Sequence, residues 1–156
     1  MLPNERQARI HRDRAHRLAN DCRMAEAIDE LRLAVGHDTR DGRSWQLLGQ
    51  LYGAAGYHEQ AVSYIQLALA EDFNNMAAWI VLINLYAQIG GPYFELALEQ
   101  VDLAKEVNDR IPDLHYLEGN ILAQRGELDA ARRALQQALE LNPSHQHAAN
   151  DLAAIS

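Results

Sequence analysis

Residues 42–75 read GRSWQLLGQLYGAAGYHEQAVSYIQLALAEDFNN. Leu47, Leu48, Leu51 and Tyr52 recur at helical spacing, and so do Ala61, Ile65, Ala68 and Leu69. Separations of three and four residues place each set on one side of an α-helix, the side that is buried. Gly56 stands between the two runs, where the chain reverses and where a residue without Cβ turns at least steric cost. Gly49 and Ala61 are small enough to let the two helices approach closely, with Trp45 and Tyr52 supplying bulk beside them. The stretch predicts a helical hairpin with two apolar faces, one more than it can bury by itself.

The same signals return along the chain. A shift of 34 residues brings Trp79, Leu82, Tyr86 and Gly90 onto Trp45, Leu48, Tyr52 and Gly56. A later copy supplies Gly119, Leu122, Gly126, Ala131, Leu135, Ala138 and Pro143, and an earlier one Ala27, Leu31 and Ala34. A fixed period of this length is the mark of stacked, like units, each burying the face that its neighbour leaves open. The pattern W-x2-L-G-x2-Y, then A-x3-F, then P, resembles the tetratricopeptide repeat family, and the resemblance runs over about residues 8–155. It implies an all-α fold: a right-handed superhelical solenoid of antiparallel helix hairpins, one domain over residues 1–156. The repeats are expected at about 8–41, 42–75, 76–111 and 112–145, with a capping helix at 146–155. Paired helices are expected near 4–20 and 24–36, 43–55 and 58–71, 76–89 and 93–107, and 112–125 and 128–141. The third repeat is longer because Gly91-Pro92 enters its inter-helix turn.

Three departures from the pattern carry expectations of their own. His11 and Ala15 replace the Trp and Gly of the first repeat, whose first helix is rich in charge, as suits a solvated end. Ile83 replaces Gly in the third, which predicts a wider or shifted helix pair. In the fourth, His115 and Glu118 stand where bulky apolar groups belong, and Leu114 and Leu117 lie one residue earlier, which predicts a slightly rotated helix. Glu118 needs solvent or a donor, since a buried carboxylate without a partner is costly.

The chain of 156 residues is 48% hydrophobic and 23% charged, enough apolar material for a core. Its formal charge of −8 argues against general nucleic-acid binding, which needs a basic footprint. The charge is uneven: Arg6, Arg9, Arg12, Arg14 and Arg17 face only Glu5 and Asp13 within the first twenty residues. Such a run reads either as a solvated helix face or as a site for an acidic partner segment. The single Cys22 excludes an intrachain disulfide. With no apolar signal segment at the start, a cytoplasmic location is expected. No charged residue occurs from Phe73 to Phe94, but Asn74, Asn75, Asn84 and Gln88 interrupt the stretch and Gly90-Gly91-Pro92 ends it, so a buried helix is expected rather than a membrane insertion.

Chemistry is sparse. His145 and His147 lie at a turn-to-helix junction, His11 and His16 are five apart rather than the four that aligns two ligands, and neither set has a cysteine partner, so no metal and no cofactor are expected. Neither a nucleophile elbow nor a phosphate-binding glycine loop is present, and an enzyme is not expected.

In the family resembled, the first helix of each repeat lines a concave groove, through the second, fifth, ninth, twelfth and thirteenth positions. Carried over residue by residue, the peptide-binding groove is expected to include Arg9, Arg12 and His16; Arg43, Gln46 and Gln50; Ile80, Asn84 and Gln88; and Tyr116, Asn120 and Gln124. Gln50, Asn84 and Asn120 share one position, and amides that both donate and accept suit an extended peptide backbone. Ile80 and Tyr116 supply apolar surface. Neither register of the groove reproduces the Lys–Asn–Arg clamp of the members that hold chaperone tails. The resemblance implies a protein–protein adaptor or scaffold that binds an extended peptide or helix of a partner. The alternatives are a type III secretion-type chaperone for a client protein and a self-assembling fragment of a longer solenoid. In the last, Leu152 and Ile155 of the capping helix offer an apolar route to homo-oligomers.

Overall fold

The computed structural model describes residues 1–156. They form nine helices: α1 (Pro3–Asn20), α2 (Met24–His37), α3 (Gly42–Ala54), α4 (His58–Glu71), α5 (Met76–Ile89), α6 (Tyr93–Val107), α7 (Pro112–Gln124), α8 (Leu128–Leu141) and α9 (Gln146–Ala154). The chain folds as two compact units, Met1–Val81 and Leu82–Ser156, whose boundary falls inside α5.

In the first unit α1 packs on α2, α3 on α4, and α2 on α3. Ala15, Ala27, Leu31, Leu47, Leu48 and Leu51 make its core, with Trp45, Tyr52 and Tyr64 against them. A Leu as fully buried as Leu31 contributes about 1.5–3 kcal/mol by leaving water. In the second unit α7 packs on α8, α6 on α7 and α8 on α9. Leu135, Ala138 and Ala148 form a cluster at its end, with Tyr116, Leu139, Leu152 and Ile155 packed on it. The apolar groups of the capping helix are thus half-covered by the chain itself.

The apolar stretch 73–94 becomes the 14-residue α5, opened by Asn75, whose side chain accepts the Ala78 N–H at 3.1 Å. Ala78, Trp79, Leu82, Ile83, Leu85 and Tyr86 are buried. No helix is long and apolar enough to cross a membrane.

Two local devices recur. Trp45 donates its indole N–H to the Thr39 carbonyl at 2.8 Å, and Trp79 does the same to the Phe73 carbonyl at 2.8 Å. His115 reaches the carbonyl of Asp109 through Nε2 at 2.7 Å. The imidazole therefore takes the indole's place and its bond. The rotation expected for α7 does not occur, because Leu114, His115 and Leu117 are all buried in the ordinary register. Glu118, the remaining misfit, meets Lys105 Nζ at 2.5 Å. The second device is an Asx turn after each second helix: Asp38, Asp72, Asn108 and Asn142 each accept, through a side-chain oxygen, the N–H two residues on, at 3.0–3.1 Å.

Within the hairpins the turns repeat as well. Tyr57 N–H donates to the Tyr52 carbonyl and Glu127 N–H to that of Leu122, each at 2.9 Å, around Gly56 (φ 89°) and Gly126 (φ 83°). This is the six-to-one bond of a helix end that needs one left-handed residue. The α1–α2 turn makes the same bond, Arg23 N–H to Leu18 O at 2.8 Å, but its left-handed residue is Cys22 (φ 59°). An L side chain in that region costs about 1–3 kcal/mol, and Gly returns part of the gain through its looser unfolded chain. Cys22→Gly is expected to raise stability by about 1 kcal/mol, read as a higher urea midpoint at unchanged slope. A lower midpoint would show that the thiol makes a contact worth more than the strain.

Candidate functional site

The first helices of the repeats carry all twelve residues expected in the groove, and the two units use them differently. In the first unit α1, α3 and the turn before α5 enclose a pocket of about 660 Å³, lined by Arg12, His16, Asp41, Gly42, Arg43, Gln46, Leu47, Gln50, Asp72 and Asn75. Five of the expected residues, Arg12, His16, Arg43, Gln46 and Gln50, thus meet at one place. Arg9 is exposed on α1 outside it.

Two of the five are already engaged. Arg12 Nη1 donates to both Asp41 oxygens, at 2.6 and 2.5 Å, with the side chains only 14% and 8% exposed. Asp41 also caps α3, accepting from Ser44 N at 3.4 Å and from Ser44 Oγ at 2.6 Å. Gln46 Oε1 accepts from Asn75 Nδ2 at 2.7 Å while Asn75 caps α5. His16, Arg43 and Gln50 are exposed and hold no hydrogen bond or ion pair. The pocket therefore has a floor of satisfied polar pairs and a rim of one cation, one imidazole and one amide with open valences.

In the second unit the corresponding residues form a network. Tyr116 packs its ring against His145 and His147, at centroid separations of 5.0 and 6.0 Å. Burial first, and then the charge and hydrogen bond of Asp151, push the Tyr116 phenol above its ordinary pKa. Asn120 Nδ2 donates to Asp151 Oδ2 at 3.2 Å, and Asn120 Oδ1 accepts from Gln124 Nε2 at 2.6 Å. Asn84 is half-buried and Gln88 exposed. Ile80, the last expected residue of the first unit, is half-buried on α5.

Sequence reasoning missed the residue just before three of the first helices, α3, α5 and α9. Asp41, Asn75 and His145 are N-caps, and each reaches back to the preceding first helix. His145 Nδ1 accepts the Ala148 N–H at 3.1 Å, so its proton sits on Nε2, which lies 3.0 Å from Asp113 Oδ1 and donates to it. The cap preference for Asp and Asn was available as a signal; the second bond of each cap was not. His145→Ala is expected to cost about 1 kcal/mol, the usual loss of a cap, confined to α9. Faster amide exchange at Ala148 and Ala149, with α7 unchanged, is the readout; unchanged exchange in α9 would show that the cap does not hold it.

Residues 42–75 and 112–145 each match a family described as Tetratricopeptide repeat. No curated protein matches the sequence. Solved structures do resemble the fold. MamA (residues 41 to the end) from Desulfovibrio magneticus RS-1 superposes with a TM-score of 0.83 at 19% identity, over 96% of this chain and 83% of that one. YrrB, described as a TPR protein with an unusual peptide-binding site, gives 0.74 at 20% identity, over 93% and 74%. The first TPR of Spaghetti (RPAP3), bound to the HSP90 peptide SRMEEVD, gives 0.68 at 20% identity, over 76% and 92%. At these identities the likeness is one of fold, and the fold class is the all-α solenoid of helical hairpins.

Proposed function

The chain is a tetratricopeptide repeat protein, and from that premise we propose that it is a binding module, an adaptor or scaffold that holds an extended peptide or helix of a partner protein, and not an enzyme. The pocket of the first unit carries this reading, because it is the place where first-helix side chains converge with valences unspent. An extended segment brings backbone N–H and C=O groups that need partners. Gln50 can give and take a hydrogen bond, Arg43 can only give, and the imidazole of His16 can do either. Leu47 adds an apolar wall. RPAP3 and YrrB lend support as relatives in fold whose descriptions mention peptides. A tail such as SRMEEVD is not the partner proposed, since Arg12 is bound to Asp41 and the clamp residues are missing.

The test is capture of a partner from cell extract, with a photo-cross-linking residue placed at Gln50 or, as a control on the exposed side of α4, at Glu59. The partner is expected to cross-link from Gln50 alone. Capture is expected to fall at least about tenfold, or 1.4 kcal/mol, in Arg43→Glu/Gln50→Ala. A partner retained in full by that variant, or cross-linked equally from Glu59, removes the pocket as its site.

A further inference from the structure

Outside the pocket, charge is sorted onto two separate helices. Of the five arginines of α1, Arg12 is occupied by Asp41. Arg6, Arg9, Arg14 and Arg17 are exposed, and none has an ion-pair partner. Of the two acidic residues of α1, Glu5 is spent on the helix start, accepting the Leu2 N–H at 3.0 Å, and only Asp13 opposes the arginines. On a chain of net charge −8 this leaves four exposed arginines on α1 without an ion pair, although Asp21 and Glu30, the latter held by His11, lie beside Arg14 and Arg17.

The opposite sign is gathered on α6. Glu95, Glu99, Asp102 and Glu106 recur at i, i+4, i+7 and i+11, which aligns them along one line of the helix. All four are exposed, and only Glu95 is paired, with Arg125 Nη1 at 2.7 Å. The interval from Arg6 to Arg17 equals that from Glu95 to Glu106, about 16 Å of helix in each case.

We propose that α1 of one copy docks along α6 of a second copy, through ion pairs between these arginines and carboxylates. Charge complementarity selects the occupant. A long polyanion such as nucleic acid, or an anionic bilayer, must approach the negatively charged remainder of the chain along with α1. The exposed face of α1 offers arginines where insertion in a bilayer needs large apolar groups. A second copy brings a matched acidic line of the same length. Because α1 and α6 are different surfaces, each copy carries both a cationic and an acidic face, and the contact pairs α1 of one copy with α6 of the other. It is weak and salt-labile, as exposed ion pairs are. Arg6, Arg14 and Arg17 line no part of the pocket, so this contact stands or falls apart from peptide binding.

Sedimentation of the full chain tests it. Concentration-dependent association is expected at about 0.1 M salt, weakened at least about tenfold at about 1 M, where the screening length falls from about 10 to 3 Å. Arg6→Glu/Arg17→Glu and Glu99→Arg/Asp102→Arg, each with unchanged helicity, are expected to be monomeric alone. An equimolar mixture of the two is expected to associate, since each supplies the face the other has lost. Arg6→Gln/Arg17→Gln, which adds no like charge, is expected to weaken association in the same direction. A wild-type chain that stays monomeric at low salt overturns the proposal, as does association that survives either reversal, or a mixture that fails to associate. Retention of a polyglutamate peptide or of DNA by a monomeric wild-type chain also overturns it, and gives α1 to a different acidic partner.

Discussion

Replacing Gly49 with valine is expected to destabilise the first unit by about 2–3 kcal/mol, the cost of forcing extra carbon into a packed core. A Cβ built at Gly49 lies 2.5 Å from both Cγ1 and Cδ1 of Ile65 and 3.2 Å from the Ala61 carbonyl oxygen. The first two atoms can retreat only by leaving a core position that is fully buried, and the third belongs to the backbone of α4. The gain in helix propensity on replacing glycine, under about 1 kcal/mol, does not offset this. Ile65→Ala alone leaves a cavity and is expected to cost about 2–5 kcal/mol. Combined, the two changes are expected to cost well below their sum, because the second removes the atoms that the first collides with. Urea unfolding followed by the fluorescence of Trp45 and Trp79 measures all three variants. Strict additivity would mean that α3 and α4 can part without loss. Gly119 is a parallel case, with Leu135 Cγ 2.7 Å from its notional Cβ.

Arg12→Ala is expected to cost about 3–5 kcal/mol, more than most losses of a surface charge, because it strands Asp41. That carboxylate is 8% exposed and would keep only the Ser44 hydroxyl and amide. Arg12→Gln/Asp41→Asn, which removes both charges together, is expected to recover most of the loss, since what is expensive is the orphan rather than the missing pair. A loss below about 1 kcal/mol for Arg12→Ala would place the pair in effectively solvated surroundings. The contrast with Arg43 matters for any binding study. Arg43→Ala is expected to change stability by no more than about 0.5 kcal/mol, so a partner lost there is lost at the site. A partner lost with Arg12→Ala can be lost through unfolding.

The architecture was legible because its signals are local and repeated. Helix positions followed from apolar spacing and turn glycines, and no end moved by more than one residue. His115 shows where residue type misled: read as a misfit for tryptophan, it keeps the tryptophan's bond because imidazole also carries a ring N–H. At Cys22 no glycine marks the turn, yet the bond pattern there is that of the glycine turns, with a left-handed residue at the same place. The site was legible only in outline. First-helix positions pointed to five residues that line one pocket, but not to which side chains were already bound. Arg12 finds a carboxylate, Gln46 an amide and Tyr116 an imidazole, each 29 residues on. Three chemistries at one spacing leave no repeated residue type to find.

That spacing has a consequence for how such a chain can change length. Arg12 and Asp41 both fall within residues 8–41, Gln46 and Asn75 within 42–75, and Tyr116 and His145 within 112–145. Each of these three windows of sequence thus contains both halves of the fastener that ties its first helix to the first helix that follows. A duplication or deletion that copies or removes one whole window carries the two halves together and strands neither. The chemistry of each joint is inherited with its window, whatever neighbour the window acquires.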